Sequence, residues 1–287
     1  MLPNTFVIGA MKSATTSLCN LLSQHPNVFV PRIKEPDFYS RDEVFSKGFQ
    51  WYESMFNVGS QHQVVIDGST SYAKQLQFPR ASKRLAEHRP DAKIIYILRH
   101  PIDRLCSHWK HEVLKNRTRL NLNDFIIQQP EAIDISCYWK QISLYRDQFP
   151  KEQILVLFTQ EFHEQPIQIL DECCRFLKLP KHDFITSQQT ANRSDSRRPD
   201  AWPVRIFRKY RWFDTRFERL KQSIPESWHP ALKTVFKSKR HVSGDERLSD
   251  SIRQWAEGEI VEDAKKILIE FNRPLDYWTF QFTPTGP

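Results

Sequence analysis

Short apolar runs alternate with amphipathic segments along the first two thirds of the chain. Four runs have the length and apolar character of buried strands, and they cover residues 5–8, 64–67, 93–98 and 154–158. Apolar residues at helical spacing predict helices that end near residue 25 and that cover about 102–116, 136–148 and 166–177. Strands that alternate with helices predict an α/β fold with a parallel β-sheet flanked by helices on both sides.

The last third of the chain is less regular. Residues 178–245 are rich in loop-forming, basic and aromatic residues, and no regular structure is predicted there, whereas an amphipathic helix is expected over about 247–271. On the helix over 166–177, four apolar residues are expected on one face: Ile167, Leu170, Cys174 and Leu177. No internal repeat or linker is evident, so we expect a single domain over residues 1–287.

Composition narrows the class of protein. With 39% hydrophobic and 26% charged residues, the chain is typical of a water-soluble globular protein. The longest clean apolar stretch, residues 94–98, is far too short to cross a bilayer, and the first residues lack the pattern of a secretory signal. A cytoplasmic location is therefore expected.

Five cysteines without a C-x-x-C pair argue against a disulfide framework or a zinc site, and the spacing of His108 and His111 indicates a solvated helix face.

The formal net charge of +8 is unevenly distributed, with Lys and Arg concentrated between residues 193 and 221. Nucleic acid, a membrane surface and an anionic small ligand all suit such a segment. Basic and aromatic residues interleave over 205–212, as on surfaces that stack on bases or lie at a membrane interface. We prefer a basic helix or lid that flanks an anionic substrate.

The loop after the first strand has the chemistry of an anion site. Backbone N–H groups at a helix start attract anions, and the loop adds one ammonium group and three hydroxyls. Its residues are Lys12, Ser13, Ala14, Thr15, Thr16 and Ser17. Helix capping by Ser13 or Thr15 explains one hydroxyl but not the lysine. The lysine comes only three residues after Gly9 and no second glycine precedes it, so the loop is not that of a nucleotide triphosphatase.

A second anion site is predicted after the strongest strand. Arg99 follows that strand directly, and a guanidinium group grips a phosphate at two points. Pro101 suits a helix start, and Ser107 falls about two turns into that helix. Ligands of parallel sheets collect at the carboxyl ends of the strands, where both predicted sites lie.

The pairing of Gly9-x-x-Lys12-x-x-Thr15-Thr16 with Arg99-x-Pro101-x-x-Arg104-x-x-Ser107 resembles the sulfotransferase family, above all its heparan-type and bacterial branch. The likeness covers about residues 5–180 and implies a fold related to the P-loop nucleotide kinases. It also implies the donor 3′-phosphoadenosine 5′-phosphosulfate (PAPS), whose product is adenosine 3′,5′-bisphosphate (PAP). By this resemblance residues 12–17 hold the 5′-phosphosulfate, and Arg99 and Ser107 hold the 3′-phosphate.

The resemblance also suggests catalytic roles. Glu35, in Lys34-Glu35-Pro36, matches the general base of the family, with His100, His108 and His111 as weaker candidates. Lys12 is expected to stabilise the charge that grows on the departing nucleotide, without a metal ion. Arg197 and Arg198 are the candidates for a late loop that clamps the donor, and Lys239-Arg240 is the alternative.

Two departures from the family pattern affect these expectations. The small pair after the lysine is Ser13-Ala14 instead of a glycine-rich pair, and the loop is expected to tolerate it. Gly68 stands where the heparan-type branch carries a lysine, which argues against a heparan-like acceptor. The acceptor therefore stays open: a hydroxyl or an amine of a small molecule, a sugar or a lipid, shaped by the region of about 180–245. The oligomeric state is also open.

Two other classes of function compete with this interpretation. A nucleotide-dependent kinase of related fold is one, because Val64–Asp67 imitates a strand that ends in a magnesium-binding aspartate. A basic protein that binds nucleic acid or a membrane surface is the other, although we expect no nucleic-acid partner.

Overall fold

A parallel β-sheet forms the centre of the protein. The computed structural model describes residues 1–56, 62–186 and 247–281. Within these ranges the sheet has five strands: β1 (Thr5–Gly9), β2 (Val28–Phe29), β3 (Val64–Asp67), β4 (Lys93–Leu98) and β5 (Ile154–Phe158). The spatial order is β2-β3-β1-β4-β5, and every neighbouring pair is parallel. The predicted α/β fold with a parallel sheet is confirmed.

Helices connect the strands and cover the sheet. In chain order they are α1 (Thr15–Leu22), α2 (Asp42–Phe45), α3 (Gly48–Glu53), α4 (Ala81–His88), α5 (Pro101–Leu114), α6 (Leu122–Gln128), α7 (Pro130–Asp134), α8 (Tyr138–Arg146), α9 (Thr159–Glu164), α10 (Pro166–Phe176) and α11 (Asp250–Glu270). Short 3₁₀ turns cover Thr70–Ala73 and Lys151–Gln153. None of the helices in the described ranges is long and apolar enough to cross a membrane.

Both faces of the sheet are buried, and the strand β4 shows how. Its side chains alternate between two hydrophobic clusters, as the pleat requires. Ile94, Tyr96 and Leu98 enter a cluster that contains apolar residues of α5, α8 and α11. Ile95 and Ile97 enter a second cluster with apolar residues of α1 and α10. Because neither face meets water, the strand is a continuous apolar run.

One predicted helix face needs a correction. Leu170 and Cys174 of α10, and Leu177 directly after it, are buried as expected, but 39% of Ile167 is exposed. The helix begins at Pro166, so Ile167 lies in the first turn, beyond the edge of the second cluster. Its place on the buried face is taken by Ile169, which is one of the residues of that cluster.

Candidate active site

Two loops meet at the carboxyl ends of neighbouring strands. β1 and β4 pair directly, and the N–H of Ala10 donates to the carbonyl of Ile97 at 2.8 Å. The hydroxyl of Thr159, the first residue of α9, donates to the carbonyl of Leu98 at 2.7 Å and lies 3.3 Å from the carbonyl of Ser13. The loop that carries Lys12 and the end of β4 that leads to Arg99 are thus held side by side.

The loop after β1 has an unusual backbone. Lys12 and Ala14 have φ angles of 72° and 64°, in the left-handed region that non-glycine residues rarely adopt. At Gly9 a Cβ atom would lie 3.0 Å from the ring of Tyr96, so a side chain would meet the sheet. Such conformations persist where surrounding structure enforces them, and they are common at functional sites.

The start of α1 lacks a side-chain cap. Ala14 precedes the helix, and no side chain accepts a hydrogen bond from the first N–H groups. The capping alternative for Ser13 and Thr15 is therefore wrong. Uncapped N–H groups, together with the positive end of the helix dipole, suit an anion. Ser13 and Thr15 are buried, whereas Thr16 is exposed.

The second predicted anion site lies at the end of β4. Arg99 is partly exposed, and its Nη2 lies 3.9 Å from Oδ2 of Asp103, a weak contact. Tyr138 fixes the backbone there, since its hydroxyl donates to the carbonyl of Arg99 at 2.8 Å. Pro101 begins α5, as predicted, and Ser107 lies two turns along the same helix, partly exposed.

Glu35 lies in a network that also reaches the donor loop. Its Oε1 pairs with the ammonium of Lys34 at 2.8 Å, and its Oε2 accepts a bond of 3.2 Å from the hydroxyl of Thr70. The same ammonium donates to Oγ1 of Thr15 at 3.3 Å. Because 41% of the Glu35 side chain is exposed, the carboxylate is both oriented and accessible.

A buried carboxylate fixes the turn after β3, from which Thr70 reaches Glu35. Asp67, at the end of β3, accepts bonds from the hydroxyls of Tyr52, Tyr72 and Ser69 at 2.5, 2.7 and 2.6 Å, and from the N–H of Ser69 at 3.0 Å. Burial raises the pKa of Asp67 to about 6, against the effect of those bonds. Both oxygens are engaged and sealed from solvent. The comparison with a magnesium-binding aspartate of a kinase is therefore wrong for Asp67.

The three histidines have different surroundings. Burial, and then the charge of Arg104, lowers the pKa of His108 to about 2. The expected solvated helix face is therefore wrong for His108, which is buried. Burial, and then the charge of Lys12, lowers the pKa of His111 to about 3. Both rings are consequently neutral at pH 7. The Nε2 of His100 instead donates to the carbonyl of Thr279 at 3.1 Å.

Sequence reasoning missed Lys34, Thr70 and Thr159, which link the loops of the site. Lys34 stands next to Glu35 in the quoted motif, and this adjacency was a usable signal. Thr70 and Thr159 follow other strands, so only the sheet order brings them close.

Several predicted residues fall outside the described ranges. They are Arg197, Arg198, Lys239 and Arg240, the candidates for the donor clamp, and the basic aromatic segment 205–212. The clamp remains a prediction.

The chain is similar in sequence to known sulfotransferases. A sequence model of the sulfotransferase domain matches residues 2–241. Heparan sulfate glucosamine 3-O-sulfotransferase 5 of Homo sapiens is 27% identical over 192 residues, which is 62% of this chain and 54% of that protein. The bifunctional heparan sulfate N-deacetylase/N-sulfotransferase 3 of Mus musculus is 29% identical over 202 residues, which is 63% of this chain and 23% of that protein. The chain thus spans about half the length of the first relative and less of the second.

The fold has a counterpart among solved structures. A sulfotransferase from Alicyclobacillus acidocaldarius superposes with a TM-score of 0.68 at 22% identity, over 97% of this chain and 99% of the other. This likeness concerns the fold alone, whereas the domain match extends over well more than half of the sequence. With the predicted motifs on adjacent strand ends and the domain match over residues 2–241, the chain belongs to the sulfotransferase domain family.

Proposed function

We propose that the protein is a PAPS-dependent sulfotransferase that transfers a sulfuryl group to a hydroxyl or an amine. One observation supports this most: the uncapped start of α1, with Lys12 before it, follows β1, and Arg99 follows the neighbouring strand β4. Two anion sites on adjacent strand ends suit a nucleotide with phosphate groups at both the 5′ and the 3′ positions. Family membership favours the same donor.

Each anionic end of the donor has its own residues. The N–H groups of Thr15, Thr16 and Ser17, at the uncapped helix start, would hold the 5′-phosphosulfate. Arg99 and Ser107 would hold the 3′-phosphate, and the 3.9 Å contact to Asp103 is loose enough for the guanidinium to turn to a ligand.

PAPS supplies an activated sulfuryl group, whose bond to the 5′-phosphate breaks as the acceptor oxygen or nitrogen bonds to sulfur. Glu35 would take the proton of the attacking group, since its carboxylate is oriented by Lys34 and Thr70 yet exposed. Lys12 would stabilise the charge on the departing phosphate oxygen, aided by the dipole of α1. These roles require alignment and fixed positive charge more than covalent chemistry.

The acceptor is proposed only as a class: a sugar, a lipid or another small molecule. The names of the two relatives, both heparan sulfate sulfotransferases, favour a sugar. Gly68, in place of the lysine expected for a heparan-like acceptor, favours a different sugar or a small molecule. A cytoplasmic location and a reaction without a metal ion remain predictions.

A ligand panel tests the donor class. We expect PAP to raise the unfolding temperature strongly, adenosine 5′-phosphate weakly, and ATP with magnesium little, because only PAP fills both anion sites. Stronger stabilisation by ATP with magnesium than by PAP would overturn the proposal in favour of a kinase.

A second experiment identifies the acceptor. Sugars, lipids and amines are incubated with the enzyme and labelled PAPS, and products are detected by the mass gain of one sulfuryl group.

Salt-dependent binding of the protein to DNA or to anionic vesicles, without donor binding, would instead support the surface-binding alternative.

A further inference from the structure

Lys34 occupies the space between the donor loop and the candidate base. Its ammonium lies 3.3 Å from Oγ1 of Thr15, 2.8 Å from Oε1 of Glu35 and 3.0 Å from the carbonyl oxygen of Gly68. Only 16% of the Lys34 side chain is exposed, so the charge is held in place rather than extended into solvent. An ammonium group has three donors, and the three contacts fix its direction.

The position depends on the absence of a side chain at residue 68. A Cβ atom on Gly68 would lie 2.9 Å from Cγ of Lys34 and 3.3 Å from Sγ of Cys19. The backbones of Lys34 and Gly68 are also tied, because the N–H of Gly68 donates to the carbonyl of Lys34 at 3.0 Å. The stem of Lys34 therefore fills the space into which a residue-68 side chain would extend.

The contact with Thr15 has a consequence for the anion site. A hydroxyl that accepts a hydrogen bond from an ammonium group turns its own proton elsewhere. Thr15 begins α1, so that proton is available to an anion at the helix start. The charge of Lys34 itself lies on the side of the helix start that faces Glu35.

We propose that Lys34 is a further catalytic residue: when the donor is bound, the N–H that now reaches the carbonyl oxygen of Gly68 turns to the sulfuryl group, while the contact with Thr15 remains and directs the hydroxyl of Thr15 toward the same group. The ammonium bridges Thr15, in the donor loop, and Glu35, the candidate base. This inference depends on the proposed sulfotransferase function.

The decisive measurement compares the affinities for PAPS and PAP, which differ only in the sulfuryl group. Lys34→Met keeps most of the stem beside Gly68 and removes the charge. One charge-assisted hydrogen bond corresponds to about a tenfold to hundredfold change in affinity, so we expect the Kd for PAPS to rise by about tenfold or more. The Kd for PAP is expected to change less than about twofold. Lys83→Ala is the control, because Lys83 is mostly exposed on α4.

An exchange of the two positions provides a second test. The double variant Lys34→Ala with Gly68→Lys removes the stem of Lys34 from the space beside residue 68. It places an ammonium group on residue 68 instead. We expect this double variant to regain most of the preference for PAPS over PAP, whereas Gly68→Lys alone meets the stem of Lys34 and does not gain preference.

The outcomes separate the two proposals. A wild-type protein that binds neither PAP nor PAPS would overturn both the function and this inference. Wild-type binding of both ligands, with equal losses or no loss in Lys34→Met, would overturn the role of Lys34 alone. Unfolding temperatures without ligand show whether each variant is folded.

Discussion

Two neighbours hold Glu35 in different ways. Lys34 pairs with one carboxylate oxygen through a full charge, and Thr70 donates a neutral hydrogen bond to the other. Carboxylate oxygens have further lone pairs, so both contacts leave room for a substrate proton. The orientation of Glu35 thus comes from its own loop and from the turn after β3.

Glu35→Gln should separate binding from turnover. The amide keeps the shape of the side chain but takes up no proton, so we expect turnover to fall by about a hundredfold or more. The Kd for PAP should change less than about twofold, since the residues assigned to its two phosphate groups lie on other loops. Turnover with an identified acceptor and titration calorimetry with PAP give the two values. Glu43→Gln, at an exposed site on α2, is the control, and full turnover of Glu35→Gln would reject the base.

Arg99→Ala should weaken binding selectively. The guanidinium is assigned to the 3′-phosphate, and a charge-assisted contact is worth about 1.5–3 kcal/mol, or roughly a tenfold to hundredfold change in Kd. We expect that loss for PAP but not for adenosine 5′-phosphate, which lacks the 3′ group. Arg80→Ala, an exposed arginine on another loop, serves as the control. Equal losses for both nucleotides would contradict the assignment.

Sequence alone placed Lys12 and Arg99 in the loops that follow two strands, because polar residues after a buried apolar run mark the edge of a sheet. Their roles in binding the donor stay predictions. Thr159 was missed because it bridges to Ser13 across 146 positions of the chain. Contacts of that kind follow from strand order, which hydrophobic periodicity does not encode.

Elements buried on both sides were the most predictable. The bounds expected for β3, β4 and β5 agree with the structure, and β1 is longer by one residue. The strand β2 and the helices α2, α3, α4, α6, α7 and α9 were not predicted. Four of these helices, α2, α3, α7 and α9, have only four to six residues, which complete too few turns to show a period. Ile167 was wrongly expected on the buried face of α10, since it lies in the first turn of that helix and is not part of the second hydrophobic cluster.

One long-range contact between helices is open to a direct test. Asp263 of α11 accepts bonds of 2.8 Å from the N–H groups of both Trp139 and Lys140, and so caps α8 from another part of the chain. Asp263→Ala removes both acceptors, and we expect a loss of about 2 kcal/mol in the free energy of unfolding. Urea unfolding measures it. Glu262→Ala, one residue earlier and exposed, should change that free energy by less than about 0.5 kcal/mol.

At the scale of the whole molecule, the family prediction is confirmed by the domain match, whereas the single-domain organisation stays a prediction. The family could be predicted from the sequence because the residues of both anion sites lie in short local motifs. The acceptor depends on how distant segments assemble into a pocket, and the sequence of the region at about 180–245 has no periodic pattern from which to derive it.

The stability of the molecule combines opposing protonation effects. Burial lowers the pKa values of His108 and His111, so the folded state excludes protons that the unfolded state binds below pH 6.5. Burial raises the pKa values of Asp67 and Asp263 to about 6, so the folded state retains protons that the unfolded state releases above pH 3.8. Between pH 4 and 6 the histidines make stability rise with pH, and the aspartates make it fall.

His108→Gln should reveal one side of this balance. The stability that comes from the neutral ring is complete above pH 6.5 and is lost as the pH falls toward 2. Between pH 6 and 4, the slope of the unfolding free energy against pH should therefore be less positive in the variant, by about 1.4 kcal/mol per pH unit. Asp263→Asn should change the slope in the opposite direction. Urea unfolding at several pH values measures the slopes, and parallel curves for wild type and His108→Gln would mean that the folded protein protonates His108 as readily as the unfolded chain.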